Sequence, residues 1–235
     1  MKSIRSIGII MDGNRRWAKA RGRLSFEGHR AGLDTLKKLG EELPRLKSTY
    51  GLEYVTLYAF STENWNRSPE ELAFLMKLFE SAFADLLKTL ERGKVAPEKK
   101  FRLRVVGQKE RFSPKLQALM ADVEAKTADF SEGTVFLALS YGGRAEILNA
   151  VLALVEKGGK NVTEESFAKH LWTSGMPDPD LIIRTGGEKR LSNFLTWQGV
   201  YSELFFTDTF WPDFSVTEVE NIFKEFQGRE RRRGK

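Results

Sequence analysis

The chain alternates short, almost wholly apolar runs with longer stretches in which apolar residues return every three or four positions. The runs are SIGII (6–10), YVTLYAF (54–60), FRLRVVG (101–107), TVFLALSY (134–141), DLIIR (180–184) and ELFFT (203–207). Runs of this length, rich in β-branched and aromatic residues, read as strands, and those with few polar positions fit a sheet covered on both faces. The stretches between them carry helix starts. Ser68-Pro69-Glu70-Glu71 and Ser113-Pro114 each offer an N-cap followed by proline in the first turn, and Thr163-Glu164-Glu165 opens another. Strand–helix alternation predicts an α/β fold with a mostly parallel sheet surrounded by helices. No repeat, low-complexity tract or Pro/Ser-rich linker divides the 235 residues, and RGKVAPEKK (92–100) reads as a surface connection, so residues 1–235 read as one domain.

One helical stretch stands apart. From Pro69 to about Arg92 it is apolar over a wide arc, with Leu72, Phe74, Leu75, Met76, Leu78, Phe79, Phe83, Leu86, Leu87 and Leu90. Such a stripe fits a helix buried on more than one side, and equally one wall of an apolar cavity.

Composition narrows the classes. With 41% hydrophobic and 30% charged residues, and no apolar run near the ~20 residues that span a bilayer, the sequence describes a soluble globular protein. It shows no secretory signal, because the short apolar stretch of MKSIRSIGII runs into Asp12. The absence of cysteine excludes disulfides, a thiolate nucleophile and Cys-ligated zinc, and cytoplasmic placement is the expectation. Two histidines, His29 and His170, exclude a multi-histidine metal site. There is no G-x-x-x-x-G-K-[ST] and no G-x-G-x-x-G, so neither a P-loop nor a dinucleotide fold is supported. The formal charge of +6 favours acidic partners, and the tail GRERRRGK (228–235) concentrates it.

Three segments carry chemistry. SIGIIMDGNRRWAKARG (6–22) is a strand that breaks into an acid, a glycine turn and two arginines. In open α/β sheets the carboxyl ends of strands are where ligands bind, and a helix starting there turns its free amides toward phosphate. Asp12 is then either a crevice acid beside Arg15 and Arg16 or simply a helix cap. PDLIIRTGGEKRLSNF (179–194) repeats the pattern, delivering Arg184, Lys189, Arg190 and Ser192 around a Gly-Gly turn, and guanidinium groups match diphosphate oxygens bidentately. YAFSTENWNRSPEE (58–71) gathers Ser61, Glu63, Asn64, Trp65 and Arg67 just before the wide apolar helix. Asp12 and Glu203, both at strand ends, are the candidate ligands for a hard cation such as Mg²⁺ shared with a diphosphate. GGRAEIL (142–148) reads as a structural strand-to-helix turn.

Together, IIMDGNRRWAKARG…EGHRAG, YAFSTENWNRS and LIIRTGGEKRLSNFLTWQGVYSELFFTDTFWPDF closely resemble the cis-prenyltransferases of the undecaprenyl diphosphate synthase type, from about Ile7 to Gly234. The resemblance implies a six-stranded mostly parallel sheet, a homodimer, Mg²⁺ dependence, and condensation of isopentenyl diphosphate with an allylic diphosphate such as farnesyl diphosphate to a Z-polyprenyl diphosphate. It implies that Asp12 handles the metal, assisted by Glu203, and that Gly13, Asn14, Arg15, Arg16 and His29, with Trp17 and Arg21 beside them, hold the allylic diphosphate. Arg184, Arg190 and Ser192 match the isopentenyl diphosphate site. Asn64 and Arg67, with Ser61, Glu63 and Trp65, match the loop implicated in proton removal and closure. Arg232 and Gly234 resemble a terminal R-x-G motif that reaches into the partner subunit. Two positions depart from the family pattern. Ser25 stands where an arginine is common, leaving Arg21 or Arg23 to substitute, and Ser68 replaces a proline. The chain has no adjacent aspartates, so the D-D-x-x-D chemistry of trans-type synthases is missing. On this reading the apolar helix gains weight as a tunnel wall, and a water-insoluble product implies peripheral membrane contact. A non-catalytic partner subunit of a heteromeric enzyme is the alternative; a nucleic-acid binder is disfavoured because most aromatics sit inside strand and helix patterns.

Overall fold

In the computed structural model, residues 3–93 and 95–229 are described. Six strands, β1 (Ser6–Ile10), β2 (Tyr54–Ser61), β3 (Phe101–Val106), β4 (Gly133–Tyr141), β5 (Leu181–Arg184) and β6 (Glu203–Phe206), form one sheet in the order β3-β4-β2-β1-β5-β6, with every pairing parallel. Each falls within a residue or two of an apolar run read from the sequence. Around the sheet lie α1 (Asn14–Ala20), α2 (Ser25–Tyr50), α3 (Pro69–Glu91), α4 (Pro114–Lys126), α5 (Gly143–Glu156), α6 (Glu164–Ala168) and α7 (Val216–Gly228). Ser68, Ser113 and Thr163 all serve as N-caps, their hydroxyls accepting from Glu71, Leu116 and Ser166 amides.

The central strands are buried from end to end because helices cover both faces; all five residues of β1 and all four of β5 are buried. One core cluster joins β1 and β5 to α2 and α7 through Ile7, Ile9, Leu43, Leu181 and Phe223, and another sets α3 and α4 against β2, β3 and β4. From β1 the chain moves to β2, out to the edge strand β3 and back to β4 between them, then crosses to place β5 on the other side of β1. The strand order therefore reverses between β1 and β5, which opens a crevice at their carboxyl ends.

The wide apolar stripe of α3 is only partly core. Leu75 and Phe83 are buried, while Phe74, Leu78 and Ala82, at four-residue spacing, are half-buried and Ser81 is exposed. Phe74 meets Phe26 of α2 at 5.3 Å between ring centroids. Among the described residues no helix is long and apolar enough to cross a membrane.

Candidate active site

Asp12 leaves the end of β1 and enters the crevice. Gly13 follows in the left-handed region (φ 107°), where a Cβ would come within 2.7 Å of Phe210, so this turn requires glycine. The Asp12 carboxylate does not cap α1: Oδ1 accepts from the Gly13 amide at 2.6 Å, and Oδ2 takes Arg184 at 2.8 Å and Arg16 at 3.2 Å. Its carbonyl accepts from the Thr185 hydroxyl and the Trp211 amide, which fixes the backbone. Partial burial works against the charged form, but the hydrogen bond from Arg184 and the Arg16 and Arg184 charges outweigh it and hold the carboxyl below its usual value.

An open cleft of about 720 Å³ lies over this acid, and Gly13, Asn14, Arg15, Arg16, His29 and Arg67 line it with Arg23, Leu24 and Ser25. Five candidates, four at the start of α1 and one on α2, thus share one concavity with Arg67 from the β2–α3 loop. Close helix packing brings them together: at Gly28 and Gly32 of α2 an added Cβ would fall 2.0 and 2.4 Å from Asn14 atoms. The cations converge on an acid that sequence reasoning missed. Glu71 Oε1 accepts from Arg67 at 2.9 Å and sits 3.0 Å from His29 Nε2, while Oε2 lies 3.7 Å from Arg15. Burial pushes the His29 ring down from 6.5, and the Arg67 and Arg15 charges add to this against the pull of Glu71. In sequence Glu71 looked only like a first-turn acid of α3, a place where carboxylates are common for helix reasons.

The second cradle follows β5. Arg184 is buried, donating to Ser192 Oγ at 2.7 Å and to the Arg190 carbonyl besides Asp12; its Nε is buried without a partner among the described residues. Gly186 and Gly187 both take left-handed conformations, and a Cβ on Gly186 would meet Arg16 at 2.9 Å. Arg190 stands exposed and pairs with Glu188, whose other oxygen takes Arg16 at 3.3 Å. The two basic segments are therefore one continuous electropositive edge, joined at Asp12 and Glu188.

Several expected site residues lie elsewhere. Trp17 is buried, with its indole N–H donating to Asp213 at 2.7 Å, and Arg21 turns to the same carboxylate and stacks on the Trp17 ring. Of the two substitutes for the missing arginine, Arg23 lines the cleft and Arg21 does not. Asn64 spends its side-chain oxygen on the Ser61 amide, closing the turn of the β2–α3 loop; neither residue lines the cleft. Trp65 donates to Ser140 Oγ and packs on Phe60 and Phe112, and Glu63 is bound by Asn193. Glu203 opens β6, in register with Leu181 at the start of β5, so it lies at the opposite end of the sheet from Asp12. At ~3.3 Å per residue the two are on the order of 15 Å apart along the strands, and within one chain they cannot share a metal. Glu203 is instead paired with Arg229 at 3.0 Å. Arg232 and Gly234 lie outside the described residues.

The comparisons with known proteins agree with this arrangement. Residues 10–234 match the prenyltransferase family described as undecaprenyl diphosphate synthase. The chain is 44% identical to an isoprenyl transferase of Neisseria gonorrhoeae, covering 98% of this chain and 89% of that one, and 42% identical to an isoprenyl transferase of Thermotoga maritima, covering 100% and 98%. Among solved structures, lavandulyl diphosphate synthase from Lavandula x intermedia in complex with dimethylallyl diphosphate superimposes with a TM-score of 0.88 at 32% identity, over 99% of each chain. A probable undecaprenyl diphosphate synthase from Campylobacter jejuni does so with a TM-score of 0.80 at 34% identity, over the whole of both chains. An acid set between two basic cradles at the strand-order reversal, on a fold and sequence shared throughout with these enzymes, places the chain in the undecaprenyl diphosphate synthase family of isoprenyl transferases.

Proposed function

We propose that this isoprenyl transferase condenses isopentenyl diphosphate with an allylic diphosphate to give a Z-polyprenyl diphosphate, with Mg²⁺ as its cofactor. The observation that carries the reading is Asp12, held ionised at 2.8 and 3.2 Å from arginines that belong to two separate phosphate cradles. Two diphosphates bound there present their charged ends to one acid. The allylic partner belongs in the cleft of Gly13, Asn14, Arg15, Arg16 and His29, and isopentenyl diphosphate belongs with Arg184, Arg190 and Ser192.

The donor set suits Mg²⁺. Among the described residues no three acids or histidines come together, so a cation here would rest on Asp12, substrate phosphate oxygens and water, which is how Mg²⁺ is commonly held. A cation held there would supply charge neutralisation for the departing diphosphate. The protein's own groups do the rest. Arg15, Arg16 and Arg67 oppose the negative charge that grows as the allylic C–O bond breaks, and the isopentenyl double bond then forms the new C–C bond before a proton is lost. The half-buried Phe74, Leu78 and Ala82 face of α3 supplies an apolar path for the growing chain. Exposed Leu148, Leu152 and Val155 on α5, with Tyr201 and Leu204 at the edge strand β6, support a homodimer. Membrane contact at product release belongs to the same reading.

Incubation with labelled isopentenyl diphosphate, Mg²⁺ and allylic starters of several lengths tests this. Label appearing in chain-elongated products supports it, and label remaining in isopentenyl diphosphate with every starter would overturn it.

A further inference from the structure

The loop that follows the second cradle is held in an unfavourable backbone shape. Ser192 (φ 49°), Asn193 (φ 65°) and Leu195 (φ 46°) all occupy the left-handed region without being glycine. Such conformations persist only where surrounding contacts over-determine them. Asn193 makes most of those contacts. Its carbonyl accepts from the Gly143 amide at 2.7 Å and its Oδ1 from the Arg144 amide at 2.9 Å, so it caps α5 from another part of the chain; the N-cap residue of α5, Gly142, has no side chain to do so. Its Nδ2 donates to Glu63 Oε1 at 2.9 Å, in the turn that leads to Arg67. The paired glycines of GGRAEIL make room for this joint: a Cβ at Gly142 would sit 2.6 Å from Asn193 Nδ2, and one at Gly143 would sit 2.2 Å from Thr196 Oγ1.

One residue upstream, Ser192 Oγ accepts from the buried Arg184, which also binds Asp12. The position of Ser192 is thus set from below by Arg184 and from the side by Asn193. We infer that Asn193 is a positioning residue that locks the isopentenyl diphosphate cradle to the β2–α3 loop through Glu63, so that the two move and bind as a unit. The inference rests on the function proposed above, and it assigns Glu63 to the joint and not to the substrate. Removing the Asn193–Glu63 bond should weaken isopentenyl diphosphate far more than the allylic partner, whose cleft is built mainly by α1 and α2 and takes only Arg67 from the β2–α3 loop.

The test is a set of exchanges across the joint. Asn193→Asp keeps the acceptor for the Arg144 amide but sets a carboxylate against Glu63, with no proton between them. Glu63→Gln alone still accepts from Asn193. The double variant restores a hydrogen bond, now donated by Gln at position 63. Loss of a hydrogen bond to a charged group predicts a KM for isopentenyl diphosphate raised about tenfold in Asn193→Asp, near wild type in Glu63→Gln and recovered in the double variant, with the allylic KM moving much less throughout. Melting temperatures identify any variant that fails to fold, and Asn193→Gly, which accepts the same φ, supplies a second loss of the bond. Equal KM changes for both substrates, or no recovery in the double variant, would overturn the inference. Wild-type protein that forms no product would overturn the function itself; hydrogen exchange at the Arg144 amide, faster in Asn193→Gly than in Asn193→Asp, still reports whether Asn193 caps α5, and equal exchange would remove the joint as well.

Discussion

Asp12, just past the end of β1, and Arg184, the last residue of the neighbouring parallel strand β5, join at 2.8 Å, the one partly exposed to the cleft and the other almost wholly buried beneath it. The pair has a structural side as well as a chemical one. Arg184 keeps its bonds to Ser192 and the Arg190 carbonyl when Asp12 is cut back to alanine, but it loses its only close carboxylate among the described residues. Asp12→Ala should therefore cost about 1.5–3 kcal/mol of stability as well as activity. Asp12→Asn keeps the shape but sets an amide NH2 against the Gly13 amide or the arginines, where a carboxylate oxygen accepted, so it should lose stability of the same order, yet turn over at least ~100-fold more slowly. Urea melts beside steady-state rates separate the two effects, and full activity in Asp12→Asn would remove the acid from the chemistry.

The two cradles should part kinetically. Arg190 is exposed on the β5 loop, and His29 is buried in the cleft over Asp12, where the allylic partner is proposed to bind. Arg190→Ala should raise the KM for isopentenyl diphosphate about tenfold or more, since charge-assisted bonds to phosphate are the stronger kind, while His29→Ala should act chiefly on the allylic KM. Initial-rate measurements varying one substrate at a time check this, and equal effects from both variants would mean a single merged site.

His29 gives a pH signature. Burial holds its folded-state value below the 6.5 of a free ring, so its contribution to stability is fully present above 6.5 and is lost as pH falls through 6.5 toward the folded value, where the unfolded chain takes up the proton first. Asp12 and Glu71 are also lowered, but from 3.8 and 4.5, so their losses come at more acid pH. Urea midpoints should drop between pH 8 and pH 5.5 in wild-type protein and drop less in His29→Gln. In Glu71→Gln the ring, deprived of the acid that favours its charged form, should titrate lower still by NMR.

If the α3 face lines the product path, Ala82→Phe should shorten the products at a near-normal initial rate, because an inserted ring cannot be displaced cheaply by a growing methylene chain. Ser81 is exposed, so Ser81→Phe should leave product length unchanged. Chromatography of the products decides; a stability loss with unaltered lengths in Ala82→Phe would return that face to the core.

What was legible in the sequence follows from how local each feature is. The strands were readable because central parallel strands are apolar on both faces, and the helix starts because Ser68, Ser113 and Thr163 cap their own helices. Asp12 and Arg184 were readable because each follows its apolar run. Glu203 precedes its run, and in a parallel sheet that alone puts it at the other end. Glu71 and Asn193 were not readable: one gathers cations from three elements and the other joins three loops, and neither role leaves a trace in spacing. The direction of Trp17 and Arg21 was not readable for a similar reason, since Asp213, nearly two hundred residues away, decides where they point.

The central claim is that two diphosphates meet around Asp12 and are joined with cis geometry. Its most direct measurement is NMR of the product formed from ¹³C-labelled isopentenyl diphosphate and farnesyl diphosphate in the presence of Mg²⁺. The account predicts new double bonds that are all Z, formed by wild-type protein and lost both in Asp12→Asn and on chelation of Mg²⁺. New E double bonds, or a Z product made equally well by Asp12→Asn, would contradict it.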